Sequence, residues 1–327
     1  MNPRVSVVIT TCRRPHLVSR AVHSALGQTL TEIEVIVVVD GPDPATTDTL
    51  ALIHDKRLRV HVRAQCGGQA AAINTGIALA RGEWSALLDD DDHWFPAKLE
   101  RQLCTAEASV HANPIVTCRF LVRTESTGAI WPRRLPRPGE PVCEYMFCRS
   151  TWAFGEGILQ TSTLFARTRL LQLLPMDETL ARHPDLDWML RADRRKDVAF
   201  EAPPGPEPLA VWEVQRGRDR LSLQRDWRYS LKWIQGVRGI VTARAYAGFV
   251  LTWVSSSARQ QRDWSAFVAL ARRAIAEGSP NRMEWFVHLT IWIVPEALRV
   301  RVSRKFAPIE TAIGTAPPSV TQGFDRF

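Results

Sequence analysis

The sequence lacks a C-x-x-C pair. Its six cysteines, Cys12, Cys66, Cys104, Cys118, Cys143 and Cys148, are irregularly spaced, which excludes the usual zinc-site patterns. Free thiols of this kind suit a reducing compartment. No apolar run approaches the roughly 20 residues of a membrane-spanning helix. No G-x-G-x-x-G follows the first strand-like run, where the chain reads "TTCRRP", and this counts against a nicotinamide or flavin enzyme. The spaced D-x-D-x-D-G pattern of a calcium loop is missing. There is no internal repeat. The basic residues are scattered and form no recognised module, so nucleic acid is not an expected partner. The opening "MNPRVSVVITTC" passes directly into a strand-like run, which predicts a cytoplasmic chain without a leader peptide.

What is present is ordinary in bulk and unusual in pattern. With 327 residues, 45% hydrophobic and 23% charged, the chain suffices for one large domain or two modest ones with a sizeable core. The net charge is +8 and the pI near 9.6. Such a balance suits an anionic partner, whether nucleotide, phosphorylated lipid or acidic membrane face, and suits a solvated basic surface equally.

Strand and helix signals alternate over the first hundred residues. "VSVVITT" (Val5–Thr11), "EVIVVVD" (Glu34–Asp40), "RLRVHV" (Arg57–Val62) and "EWSALL" (Glu83–Leu88) read as strands. Helical stretches fall between them: Pro15–Gln28, "PATTDTLALIHD" and Gly67–Ala80. This rhythm predicts βαβ units and a mostly parallel sheet flanked by helices. "PIVTCRFLVRT" (Pro114–Thr124) reads as one further strand, and "GEGILQTSTLFAR" as turn, strand, then helix. "HPDLDWMLRAD" opens a helix at Pro184 and Asp185. "LAVWEV" is a last strand. From Ser222 to Arg304 the pattern is helical, with seven of the twelve tryptophans between Trp212 and Trp292. The organisation expected is 1–215 as an α/β domain, 216–305 as a helical extension and 306–327 as a flexible tail.

In open α/β sheets ligands bind beyond the carboxyl ends of the strands. Three of those ends carry Thr10-Thr11-Cys12-Arg13, Asp40 and "LLDDDDHW". Four adjacent aspartates repel one another, so positive charge is expected opposite them. Along an extended segment Asp89 and Asp91 share a face, and two carboxylates on one face suit Mg²⁺ or Mn²⁺. A solvated acidic turn, or a helix N-terminus before Pro96, reads equally well from the run alone. Asp40 by itself is an ordinary turn former.

Taken in order, "VSVVITTCRRP", "EVIVVVDGPDP", "GGQAAAINTGIALARGEW", "LLDDDDHWFPAKLE", "QTST" and "HPDLDWMLRA" resemble the motifs of family 2 glycosyltransferases over residues 4–215. That resemblance implies a Rossmann-like GT-A fold and an inverting, metal-dependent enzyme. Its donor would be a nucleoside-diphosphate sugar and its cofactor Mg²⁺ or Mn²⁺. It assigns Thr10, Thr11, Arg13 and Asp40 to the nucleoside, with Asn74, Asp89 and Asp90 also toward the nucleotide. The family's D-x-D falls on Asp89-Asp90-Asp91, with Asp91 and Asp89 as metal ligands. The catalytic carboxylate falls on Asp185, which is equally a helix N-cap candidate; Asp187 reads as structural. Ile73 stands where the family often has Arg, and Pro184 where it has Glu or Gln. "EGILQTST" becomes the floor of an acceptor pocket, with Glu156, Gln160 and Thr161 as polar groups. Trp94 and Trp188 become stacking platforms, although such residues also pack cores.

The acceptor expected is a glycan or lipid-linked molecule in bacterial surface polysaccharide assembly. Tryptophans followed by Arg299, Arg301, Arg304 and Lys305 suit an anionic membrane surface, so the location expected is peripheral on the inner face of the plasma membrane; a helix packed on the catalytic domain reads as well. A nucleotidyltransferase and a non-catalytic sugar-nucleotide-binding regulator are the rival classes. Uracil and thymine offer Asp40 the same N3–H, so the base stays open.

Overall fold

The computed structural model describes residues 3–124, 128–214, 226–295, 298 and 299. The expected tail at 306–327, together with Arg301, Arg304 and Lys305, lies outside them.

The alternating first part folds as β1 (Val5–Thr11), α1 (Pro15–Leu26), β2 (Ile33–Val39), α2 (Pro44–Ala51), β3 (Leu58–Val62), α3 (Gln69–Leu79) and β4 (Trp84–Asp89). β1 and β2 are buried along their whole length. Strands covered on both faces are continuous apolar runs for this reason. Alternation still decides the layers. Val5, Val7 and Ile9 pack in one core with Val18 and Val22 of α1, while Val8 faces the opposite core with Ile73 and Ile77 of α3.

The chain continues through β5 (His93–Trp94), α4 (Lys98–Ala108), β6 (Asn113–Val116), β7 (Phe120–Arg123), β8 (Gly128–Trp131) and α5 (Val142–Phe147). It then forms a 3₁₀ turn (Thr161–Thr163), β9 (Phe165–Arg167), α6 (Thr168–Leu173), α7 (Pro184–Asp193), β10 (Val198–Glu201) and β11 (Ala210–Glu213). The main sheet has the order β10-β6-β9-β4-β1-β2-β3. β9 runs antiparallel to β4 and β6, and the other pairs are parallel. A smaller sheet has the order β5-β11-β7-β8.

Two sequence expectations are corrected here. Pro114–Thr124 is not one strand: β6 joins the main sheet and β7 the smaller one. Apolar residues on both sides of the corner hide it in the sequence; Thr117, at the corner, bonds Thr163 at 2.9 Å. In 155–167 the turn comes immediately before the strand, and the helix starts only at Thr168.

The C-terminal region contains α8 (Trp227–Gly236), α9 (Ala243–Gly248), a π-helical segment (Phe249–Val254), α10 (Ser255–Gln260), α11 (Ala266–Glu277) and α12 (Arg282–Ile293). Trp227, Trp233, Tyr246, Phe249 and Trp292 share one apolar cluster with Leu87 of β4 and Trp188 of α7. Trp292 is buried, and Trp253 and Trp285 pack against the same cluster, so these tryptophans build the helical core rather than an outward membrane belt. Among the described residues no helix is long and apolar enough to cross a membrane.

Candidate active site

The carboxyl ends of β1, β2 and β4 open into a cavity of about 1870 Å³ that α7 and the C-terminal helices close from the other side. At one end stands Asp40, directly after β2. Its Oδ1 accepts from the Gly67 N–H at 2.9 Å and from Arg63, and its Oδ2 accepts from the Gly68 N–H at 2.8 Å. An ionised carboxylate offers about four acceptor sites, so one remains on Oδ2. The neighbouring Gly41 has φ +96°, and a β-carbon there would lie 2.5 Å from Cys66 Sγ. Glycine is required where the backbone is left-handed and another chain segment passes this close. Thr10, Thr11 and Arg13 line the same end. Arg13 also takes a positive φ of 56°, held by its N–H donating to Asp43 Oδ2 at 3.0 Å.

The aspartates follow. β4 ends at Asp89, and Asp90 and Asp91 form a turn, so strand alternation does not govern them. Asp89, Asp90 and Asp91 all line the cavity. Asp92 is fully buried and turns away, accepting from Gln160 and from Ser162 Oγ at 2.7 Å. The positive charge opposite is Arg14, whose guanidinium is 3.0 Å from Asp90 and 3.9 Å from Asp91. Arg20 adds a bond to the Asp91 carbonyl at 2.8 Å and reaches Glu213 of β11 at 3.4 Å. Thr11 Oγ1 donates to Asp90 at 2.8 Å, and Gln69 to Asp89 at 2.8 Å.

These partners do not neutralise the group. Burial, then repulsion from Asp92, Asp91, Asp90 and Asp185, raises the Asp89 pKa well above the carboxylate range. Burial also raises Asp90, against the pull of Arg14 and Thr11. A divalent cation relieves such repulsion, so the oxygen donors present fit Mg²⁺ or Mn²⁺. Among the described residues no three His, Cys, Asp or Glu side chains could hold a metal unaided. An ion here would rest on one or two carboxylates and on substrate phosphates.

Asp185 reaches the same cavity from α7. Pro184 starts this helix at N1, where its missing N–H costs nothing, and His183 precedes it with a left-handed φ of 65°. The His183 ring is fixed by Ser230 Oγ at 2.9 Å and lies 4.8 Å from Trp233. Thr161 Oγ1 donates to Asp185 Oδ2 at 3.3 Å. Burial raises the Asp185 pKa above its usual value. Gln160 and Thr161 both line the cavity, and among the described residues Gln160 Oε1 is buried with no hydrogen-bond partner.

Four residues expected at the site lie outside the cavity wall. Asn74 spans from α3 to Met176 and Glu178, with three contacts of 2.9 Å. Glu156 braces its own loop through the Ser150 and Thr151 N–H groups; burial works to raise its pKa, but these bonds outweigh it and hold it low. Trp94 is buried with Nε1 on the Ser162 carbonyl at 2.8 Å. Trp188 is buried with Nε1 on the Leu174 carbonyl at 2.6 Å. Asp187 pairs with Arg191 at 2.7 Å, the structural role expected of it. Sequence reasoning missed Arg14, Gln69 and His183, all in the wall. For Arg14 a signal existed, since "TTCRRP" sets two arginines at a ligand-facing strand end.

Known proteins agree with this picture. A model of glycosyl transferase family 2 matches residues 6–169. The chain is 25% identical over 201 residues to an uncharacterized glycosyltransferase of Rickettsia prowazekii (strain Madrid E), covering 61% of this chain and 62% of that protein; it thus spans less than two thirds of that relative's length. It is 37% identical over 107 residues to the succinoglycan biosynthesis protein ExoO of Rhizobium meliloti, covering 33% of this chain and 31% of the other. Over 99 residues it is 33% identical to WfaP of Escherichia coli, covering 30% and 39%. WfaP is named a UDP-Glc:alpha-D-GlcNAc-diphosphoundecaprenol beta-1,3-glucosyltransferase. Among solved structures, S. aureus TarS 1–349 in complex with UDP-GlcNAc superposes with a TM-score of 0.53 at 15% identity, covering 93% of this chain and 82% of that one. A mannosyltransferase of Pyrobaculum calidifontis with GDP-Man and Mn²⁺ also gives 0.53, at 18% identity, covering 94% and 84%. At such identities the likeness speaks for the fold alone, which is GT-A. With half of the chain under one family model, this protein belongs to glycosyl transferase family 2.

Proposed function

We propose that this protein transfers a sugar, with inversion, from a nucleoside-diphosphate sugar to a hydroxyl of a glycan or lipid-linked acceptor. The setting proposed is bacterial surface polysaccharide assembly on the cytoplasmic face of the membrane. One observation carries the reading: Asp40, the Asp89–Asp91 turn and Asp185 share one cavity although 145 positions separate the first from the last. The names of ExoO and WfaP, and the UDP-GlcNAc and GDP-Man complexes of the two structural neighbours, support donor class and setting.

In this reading Thr10, Thr11, Arg13 and the remaining acceptor site of Asp40 hold the nucleoside. Asp91 and Asp89 hold Mg²⁺ or Mn²⁺, with Asp90 toward the nucleotide. When bound, such an ion neutralises charge on the departing diphosphate, worth several kcal/mol. Arg14 opposes the effect of burial on Asp90 and adds positive charge beside the turn. Asp185 takes the proton of the acceptor hydroxyl as its oxygen bonds to the anomeric carbon and the bond to phosphate breaks. One base suffices for a single displacement, and a carboxylate whose pKa is raised by burial is the better base. Thr161 holds Asp185 Oδ2, and Gln160 lies beside it in the same wall.

Calorimetry of UDP and GDP with Mn²⁺, repeated in EDTA, tests the donor half. Diphosphate affinity should depend on the ion in wild type and be lost in Asp91→Ala with the fold intact. Equal affinity in wild type and variant, with indifference to EDTA, would remove the metal assignment. Release of pyrophosphate rather than a nucleoside diphosphate in turnover would favour a nucleotidyltransferase.

A further inference from the structure

We propose that the far end of this cavity binds the isoprenoid tail of a lipid-linked acceptor, a reading that rests on the transferase function above and narrows its acceptor. The wall changes character once it passes Asp185. The His183 ring, two residues away, lies 4.8 Å from Trp233 and 5.9 Å from Phe249, and Phe249 stacks on Trp253 at 5.7 Å. His183, Phe249 and Trp253 line the wall from beside the base into the π-helical segment, and Trp233 backs them from the core. Beyond it Ile291 and Val294 of the α12 end and then Leu298 supply the aliphatic lining, with Ser256 and Ser257 among them.

The polar side chains of this stretch are short hydroxyls, Ser256 and Ser257 beside Thr252 and Thr290. Thr252 and Thr290, also in the wall, donate their hydroxyls to the Gly248 and Val287 carbonyls at 2.7 and 2.9 Å. An apolar chain gains roughly 25 cal/mol for each Å² it buries on such a surface. Charge complementarity fits the linker of such a lipid. Arg149, Arg182 and Arg299 line the same cavity, and a phosphate or diphosphate joins sugar to isoprenoid.

The rim points the same way. Phe286 and Leu298 line the cavity and are each 49% exposed. Leu289 and Ile293 share the exposed face of α12 with Phe286 at three- and four-residue spacing. Contiguous apolar side chains at a cavity mouth mark a binding surface more often than chance exposure. A lipid chain is the occupant that uses the catalytic end, the arginines and the apolar end at once.

Farnesyl diphosphate is a suitable probe, titrated into the full chain in EDTA so that the diphosphate is not drawn to the aspartate turn. Inorganic diphosphate and maltopentaose serve as headgroup-only and glycan-only controls. Farnesyl diphosphate should bind at least tenfold more tightly than inorganic diphosphate, read by calorimetry and by tryptophan fluorescence. The combined F286S, V294S and L298S variant should lose at least tenfold of that affinity with an unchanged melting temperature, and F286S alone should move in the same direction. Equal binding of the two diphosphates overturns the proposal, as does full affinity in the combined variant. So does binding of maltopentaose that this variant loses, which would give the wall to a second sugar. Nucleotide binding with Mn²⁺ in the same samples separates the two readings. Nucleotide without lipid binding defeats the tail site alone, and lipid without nucleotide binding defeats the transferase reading.

Discussion

Burial acts on Asp185 and His183 in one sense, favouring the neutral form of each. For Asp185 the raised pKa makes a better proton acceptor. Asp185→Asn should reduce transfer by roughly 10²–10⁴ and leave nucleotide affinity unchanged; near wild-type turnover would move the base elsewhere. For His183, burial lowers the pKa from 6.5 to about 3. Between those values the unfolded chain binds the extra proton, so this residue's contribution is complete above about 6.5 and is lost as pH falls toward 3. His183→Asn tolerates the left-handed backbone and cannot titrate. Urea midpoints at about pH 7.5 and about pH 4.5 should fall further in wild type than in the variant. Parallel losses would show that the ring is not held neutral. His183 was not legible in the sequence as a site residue, because its contacts to Ser230 and Trp233 come from about 50 residues away and have no local pattern.

Among the elements, α12 is where local and distant bonds meet. Asn281 Oδ1 accepts from the Glu284 N–H at 2.8 Å, and Glu284 Oε2 accepts from the Asn281 N–H at 2.9 Å, a capping box written in "NRME". Asn281 Nδ2 also donates to the Arg149 carbonyl at 2.9 Å, tying the helix to a cavity residue. Asn281→Ala should cost about 1–2 kcal/mol by chemical denaturation, the usual worth of a cap. Asn281→Ser, which keeps a cap acceptor, should recover part of it, and a loss confined to a few tenths would mean that the helix start is held by packing alone. The cap is readable because it is four residues long. The tie to Arg149 is not, and neither is the division of Pro114–Thr124 between two sheets, since strand partners rather than strand residues decide it.

Across the whole molecule, a net charge of +8 and the exposed apolar face of α12 support the anionic membrane surface proposed as a partner. Each cation near anionic lipid contributes about 1 kcal/mol, and screening shortens from about 10 Å at 0.1 M salt to about 3 Å at 1 M. The full chain should co-sediment with anionic vesicles at low salt and release at high salt. Neutral vesicles should retain less. Protein that stays in the supernatant at low salt would mean that the acceptor reaches the enzyme in solution. Trp253, Trp285 and Trp292 pack inward, whereas Trp264, Phe286, Leu289 and Ile293 are exposed.

Four alternating strands, the aspartate run at a strand end and the start of α7 are written locally in the chain. Each of these follows from periodicity or from a stop signal within a few residues, and parallel strands bring their carboxyl ends to one edge whatever the rest of the chain does. Which polar side chains face the cavity was decided only in three dimensions. Asn74 is turned to Met176 across 102 positions and Trp94 to Ser162 across 68, whereas Arg14 is drawn to Asp90 across 76. Outside regular periodicity a side chain's direction is set by the partner that satisfies it, and that partner is supplied by the packed fold.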